Sequence, residues 1–173
     1  MSPPAVDGVC NGCGFDYDSG TLADVVATLT GNARAVADTV ARGGDAVRTR
    51  PDPETWSALE YECHVRDALA AMRGRIALTL AEDTPEYAPM GREELVVARQ
   101  YNAQDPGVVA GELAREAELF AAAALALTDD DLRRTGIYSY PAPTERPLRW
   151  LIRHTGHEVQ HHLEDITRGL ATP

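Results

Sequence analysis

Four stretches of the chain, each about twenty residues or longer, repeat their apolar side chains at steps of three and four, the spacing that turns one face of an α-helix toward a core. TLADVVATLTGNARAVADTVARGG, residues 21–44, carries Leu22, Val25, Val26, Leu29, Ala33, Val36 and Val40 and stops at Gly43 and Gly44. A second helix is predicted from Ser57 to about residue 82, with Val65, Leu69, Met72, Ile76 and Leu80 as its stripe. Its start reads Ser57-Ala-Leu-Glu60, a capping box in which serine and glutamate satisfy each other's backbone donors. Residues 107–127 form an alanine-rich third helix, and a fourth runs from Leu148, after Pro147, to Gly169. Only 6% of the residues are aromatic, and the abundance of alanine favours close-packed helices. The expected fold class is all-α, a four-helix bundle with a short, irregular, cysteine-containing N-terminal arm. The division expected is residues 1–20 as the arm and 21–173 as the bundle.

Between these helices lie DAVRTRPDPET, a linker, and a long connection from Asp83 to Pro106 that contains a short predicted helix, REELVVARQY. An excursion of that length is commonly functional or covers a site. TGIYSYPAPTERP, residues 135–147, reads as a turn-rich segment.

The net charge of −11 leaves no basic face with which to read a phosphate backbone and is repelled by anionic lipid. No apolar run approaches the roughly 20 residues of a membrane helix, and MSPPAVDG has neither the basic region nor the apolar core of a signal peptide. Neither a nucleic-acid nor a membrane partner is expected. All 16 basic residues are arginine, which excludes a Schiff-base lysine and a Walker-type lysine. Three cysteines without a secretion signal point to a reduced cytoplasm and not to a disulfide framework.

Of five histidines, four fall within nine residues, HTGHEVQHH, residues 154–162, and the fifth is His64. On a helix His157 and His161 share a face, about 6 Å apart along the axis, and their imidazoles can converge on one metal ion. His154 lies about 10 Å from His161 along the axis and cannot join them. His162 points about 100° away. With His64 from another helix, His157 and His161 make a three-ligand site, and zinc with three protein ligands keeps a position open for water or substrate. Glu60 or Asp67 could orient the second ring nitrogen of His64, and Arg149 and Arg153 could contact an anionic substrate. The competing reading of each is a solvated helix face.

WSALEYECHVRD, residues 56–67, followed downstream by HTGHEVQHHLEDI, residues 154–166, resembles the DinB/YfiT superfamily. The likeness covers nearly the whole chain after residue 20. It implies a four-helix bundle whose three ligands bind a divalent metal, and His64, His157 and His161 match those positions. The sequence is also similar to the mycothiol-dependent maleylpyruvate isomerases around a Glu-x-x-x-His-His element, with His157 set where that branch has glutamate. The resemblance implies a zinc-dependent (or nickel-, iron- or other divalent-metal-dependent) S-transferase or isomerase. Its partners would be a low-molecular-weight thiol such as mycothiol and an electrophilic substrate. The alternatives are a non-catalytic metal-binding or interaction module and a metal-dependent hydrolase. A homodimer stays open.

CNGCGFDYDSG departs from that pattern. Cys10-x-x-Cys13-Gly14 has the form of a zinc knuckle, which is half a structural site. If the second and fourth long helices run parallel, as in an up-down-up-down bundle, Cys63 and His162 rotate to the same side and would complete a Cys10, Cys13, Cys63, His162 site. A redox dithiol and two idle thiols are the rivals.

Overall fold

The computed structural model describes residues 7–171; residues 1–6 of the expected arm and the last two residues lie outside them. Four long helices build the core: α1 (Leu22–Arg42), α2 (Ala58–Ala81), α4 (Pro106–Leu125) and α6 (Leu148–Ala171). The short α3 (Arg92–Ala98) and α5 (Asp129–Arg133) lie in the connections, with single 3-10 turns at Gly44–Arg48 and Tyr101–Ala103.

Local chemistry sets the helix starts. Ser57 accepts from the Glu60 amide while the Glu60 carboxylate accepts from the Ser57 amide, so the predicted capping box forms. Thr21 with Asp24 and Thr128 with Asp131 repeat the device. Asp105 caps α4, whose first residue is Pro106, a position where the missing N–H costs nothing.

Two elements differ from expectation. Residues 135–147 are a hairpin: β1 (Thr135–Tyr138) pairs antiparallel with β2 (Thr144–Pro147), Thr135 opposite Pro147. Ile137 and Tyr138 supply the strand-favouring side chains, and Pro147 ends β2 instead of opening α6. The REELVVARQY helix stops at Ala98 because Gln100 takes a left-handed conformation, φ 48°.

The helices are not arranged in the simple alternating order. Helix α1 packs mainly on α4 and α6, and α2 packs on the same two, so α1 and α2 sit diagonally across the core. Arg66 pairs with Glu112 and Arg73 with Glu116, so α2 and α4 run in the same direction. Val25 lies beside Gly156 and Gly43 beside Leu170, so α1 and α6 also run together. Tyr61 and His64 meet His162, whereas Met72 and Ala68 share a wall with His154; α2 and α6 are antiparallel. The order is up-down-down-up. Parallel neighbours α2 and α4 require the chain to travel back along the whole bundle, and residues 82–105 make that return.

Leu29 and Val36 of α1, Leu69 and Ile76 of α2, Leu113 and Phe120 of α4, and Leu151 and Ile166 of α6 fill the centre. Glu62 projects into the same core with no exposed surface, and among the described residues neither carboxylate oxygen has a hydrogen-bond partner. Among the described residues no helix is long and apolar enough to cross a membrane.

Candidate metal centre

Helix α6 carries two interleaved pairs at a spacing of four, His157 with His161 and Glu158 with His162. One step along a helix rotates a side chain by about 100°, so the pairs face different neighbours.

The second pair faces α2. His64, Glu158 and His162 each present a ligand atom, and these atoms lie within 4.8 Å of one another. The rings of His64 and His162 meet edge to face with centroids 4.9 Å apart. Trp56 packs on His64 and Tyr61 on His162, at 5.1 and 5.2 Å. Nδ1 of His162 is 3.0 Å from Asp165 Oδ2, a carboxylate placed to take the proton of that nitrogen. Its Nε2 stands 3.8 Å from Glu158 Oε2, beyond hydrogen-bond reach. Among the described residues both nitrogens of His64, Nε2 of His162 and Nε2 of His157 are buried without a hydrogen-bond partner. Leaving such groups unsatisfied costs about 1–3 kcal/mol each, and a cation where His64, Glu158 and His162 converge would satisfy one nitrogen of His64 and Nε2 of His162.

The electrostatics agree. Burial drives the His64 imidazole down to about 3, with His162 adding to the effect, so His64 is neutral and able to donate its lone pair. Burial also opposes charge on His162, but the carboxylates of Asp165 and Glu158 outweigh it and push the group up to about 9. Burial alone would raise Glu158; the imidazoles of His162 and His154 reverse that and hold its carboxyl well below the usual range.

A cavity of about 370 Å³ opens on this cluster. His64, Glu158 and His154 form its floor, and Met72, Arg75, Tyr138 and the return segment at Met90–Arg92 form its walls. Arg75 lies against the Tyr87 and Tyr138 rings, 5.4 and 5.1 Å from their centroids.

The first pair faces the arm. Cys10, Cys13, His157 and His161 again present ligand atoms within 4.8 Å of one another. Tyr17, also from the arm, places its hydroxyl 3.0 Å from His157 Nδ1 and 2.7 Å from His154 Nδ1. The far nitrogen of His154 is 2.9 Å from the Tyr138 hydroxyl. His154, His157 and Glu158 also cluster, but tyrosines occupy both nitrogens of His154, which leaves it a buried link and not a ligand.

The structure thus partitions the expected ligands differently. His64 is not brought together with His157 and His161; it meets Glu158 and His162. His162 does not join Cys10 and Cys13, and neither does Cys63, whose buried thiol is 3.7 Å from the Tyr101 carbonyl and is pushed up to about 12 by burial. The physical reason is the antiparallel course of α2 and α6, which removes the shared side that the Cys63–His162 pairing needed. Glu60 and Asp67 do not touch His64: Glu60 caps α2 and pairs with Arg50, while Asp67 accepts from Arg66, Arg99 and Tyr101. Arg153 donates to the carbonyls of Ser19 and Gly20 and Arg149 to that of Leu132, so the arginines at the cavity are Arg75 and Arg92 instead. Glu158 is the residue sequence reasoning passed over. Its signal was present, since Glu158-Val-Gln-His-His162 itself reads Glu-x-x-x-His.

The family model of the DinB superfamily matches residues 28–166. No curated protein matches the chain significantly. Among solved structures, the chain is similar to YfiT from Bacillus subtilis, described as a probable metal-dependent hydrolase with an unusual four-helix bundle topology. The TM-score is 0.73 at 17% identity, over 87% of this chain and 88% of that one.

Proposed function

The chain belongs to the DinB superfamily, and from that premise we propose that it is a divalent-metal-dependent enzyme, with His64, Glu158 and His162 as ligands, that joins a low-molecular-weight thiol to an electrophilic substrate. The carrying observation is that the three ligand atoms converge and that two of the three residues also line the cavity. Three protein ligands leave a coordination position for a reactant. A divalent metal supplies Lewis acidity there, which lowers the pKa of a thiol or water reaching that position.

The chain's own residues do the rest. Asp165 accepts a hydrogen bond from Nδ1–H of His162 and so leaves the Nε2 lone pair facing the triad. Met72, Ala68 and Met90 exclude water from the cavity, and the guanidiniums of Arg75 and Arg92 suit a carboxylate-bearing reactant. Glu158 is the one carboxylate among the described lining residues, and it serves as ligand. That favours a thiol over water as nucleophile. A thiol starts from a pKa of about 8.5 and a coordinating metal deprotonates it outright, whereas metal-bound water, with a pKa of about 7, would find no free carboxylate in this lining to take its proton. Mycothiol, whose sugars would occupy the wall formed by residues 89–92, is the thiol of choice, and zinc the metal. The second reading, hydrolysis, draws on the description of YfiT alone.

The test is calorimetric titration of mycothiol into zinc-loaded protein, followed by conjugation to an electrophile such as a halodinitrobenzene. Saturable binding with proton release, lost in Glu158→Gln, and metal-dependent conjugation are expected. Metal-dependent ester or amide hydrolysis without thiol binding would replace this reading with the hydrolase.

A further inference from the structure

Beyond the cavity, the structure assigns a second metal site: Cys10, Cys13, His157 and His161 form a closed tetrahedral zinc site that fastens the N-terminal arm to α6.

The donor set is complete. Two thiols and two imidazoles make the Cys2His2 composition of structural zinc, in which four protein ligands leave no position for a reactant. The four ligand atoms already lie within 4.8 Å of one another. Cys10 Sγ is 3.6 Å from His161 Nδ1, and with Zn–S and Zn–N bonds of normal length the sulfur–nitrogen edge of a tetrahedron is about 3.6 Å.

An independent observation points to a ligand. His157 has no exposed surface. Tyr17 occupies its Nδ1, at 3.0 Å, and its Nε2 has no partner among the described residues. Such a buried nitrogen is costly unless something electrophilic binds it, and His157 has a ring nitrogen within 4.8 Å of both thiols. With Tyr17 donating its one hydroxyl proton to His154 and accepting from Nδ1–H of His157, Nε2 of His157 would carry the lone pair.

The backbone is shaped for the task. Val9 and Asp16 form an antiparallel bridge, Cys10 N donates to Phe15 O at 2.8 Å and Gly14 N to Cys10 O at 2.7 Å. The two cysteines therefore sit on one tight turn. Gly14 has φ +73°, open to glycine at little strain. At Gly12 a Cβ would stand 2.8 Å from Cε1 of His161, so the turn can approach the ring only with glycine there. The Gln160 amide donates to the Cys13 carbonyl at 2.9 Å and holds the turn's other side. A redox pair would require the sulfurs to face a reactant; here both face imidazoles of α6.

The site also acts on the cavity. His157 and Glu158 are neighbours in sequence, so anchoring the first pair to the arm fixes the rotation of α6 that aims the second at His64.

The test is reconstitution with cobalt. Wild type is expected to bind two equivalents per chain and to show an intense near-ultraviolet sulfur-to-cobalt charge-transfer band. Cys63→Ser should keep band and stoichiometry. Cys10→Ser combined with Cys13→Ser should bind one equivalent and lose the band. Glu158→Gln should keep the band while losing the other equivalent, which separates this site's failure from that of the cavity site. Should the double variant not fold, alkylation of wild type serves: with metal, Cys10 and Cys13 resist a maleimide and become reactive after chelation. Retention of the band in the double variant, one equivalent with no band in wild type, or equal alkylation with and without metal overturns the assignment.

Discussion

His157/His161 and Glu158/His162 have the same spacing on the same helix, and they meet opposite surroundings. The first pair meets a tight turn with two thiols. The second meets a histidine, a supporting carboxylate and an open cavity. Spacing gives a helical pair its ability to hold a metal. What packs against its face decides whether a position stays open, and so whether the pair supports chemistry or structure. The one-residue offset lets one helix present both.

The sharpest way to break this comparison is to remove His64, which only the second pair uses. In His64→Ala, metal affinity at the cavity should fall by roughly 1,000-fold or more, since ligand loss exceeds the 10–100-fold typical of outer-shell changes, while the cysteine-bound equivalent stays. Metal analysis beside the cobalt spectrum reads both at once. Loss of both equivalents would mean that the pairs are a single centre.

A second carboxylate sharpens what makes Glu158 special. Glu62 is fully buried where Glu158 is half-buried, and its neighbour is Arg66 instead of imidazoles; burial pushes it up to about 8 from 4.5, with Arg66 opposing. Because the folded-state value is raised, its contribution to stability is fully present below about pH 4.5 and is lost as the pH climbs to about 8, at up to about 1.4 kcal/mol per pH unit. Glu62→Leu should therefore stabilise the protein near neutral pH by roughly 2–3 kcal/mol and flatten that slope in urea unfolding followed across pH. An unchanged slope would indicate that Glu62 finds a partner in solution.

The smallest effect concerns support of the second pair. Asp165→Asn keeps the shape but weakens the pull on the His162 proton. It should lower cavity-metal affinity about tenfold and leave the cysteine band untouched; competition with a chelator of known affinity measures the difference. An equal loss at both sites would signal general damage to α6.

The helices were legible because each depends on local pattern. Ser57 and Glu60 mark the start of α2, and Val25, Leu29 and Val36 mark the buried face of α1, without reference to anything distant. Topology was not local. Nothing in the apolar stripes of α1 and α2 says that these consecutive helices lie diagonally apart, and an alternating order was the natural expectation. That error carried into the ligands. HTGHEVQHH announces a metal-ready segment, but choosing between residues 157/161 and 158/162 requires knowing which side of α6 faces α2. Glu158 is hard to single out from sequence because the all-histidine pair, His157 and His161, has the same spacing one residue earlier. The Cys10-x-x-Cys13-Gly14 turn is visible in the sequence, whereas which imidazoles it meets depends on where the arm lies across α6.

The return segment between α2 and α4 exists because parallel neighbours cannot be joined by a tight turn. It also supplies Pro89, Met90, Gly91 and Arg92 to the cavity wall. Scaffold and selectivity are therefore written in separate parts of the chain. The triad residues sit on α2 and α6, where each substitution disturbs the core, while this wall belongs to a span whose obligation is to reach the far end. Tyr87, Val96 and Tyr101 of that span are buried, but residues 89–92 are exposed or half-buried, so their side chains can change with little disturbance to the core. A lineage built on this topology can vary those four wall positions and leave His64, Glu158 and His162 where they are.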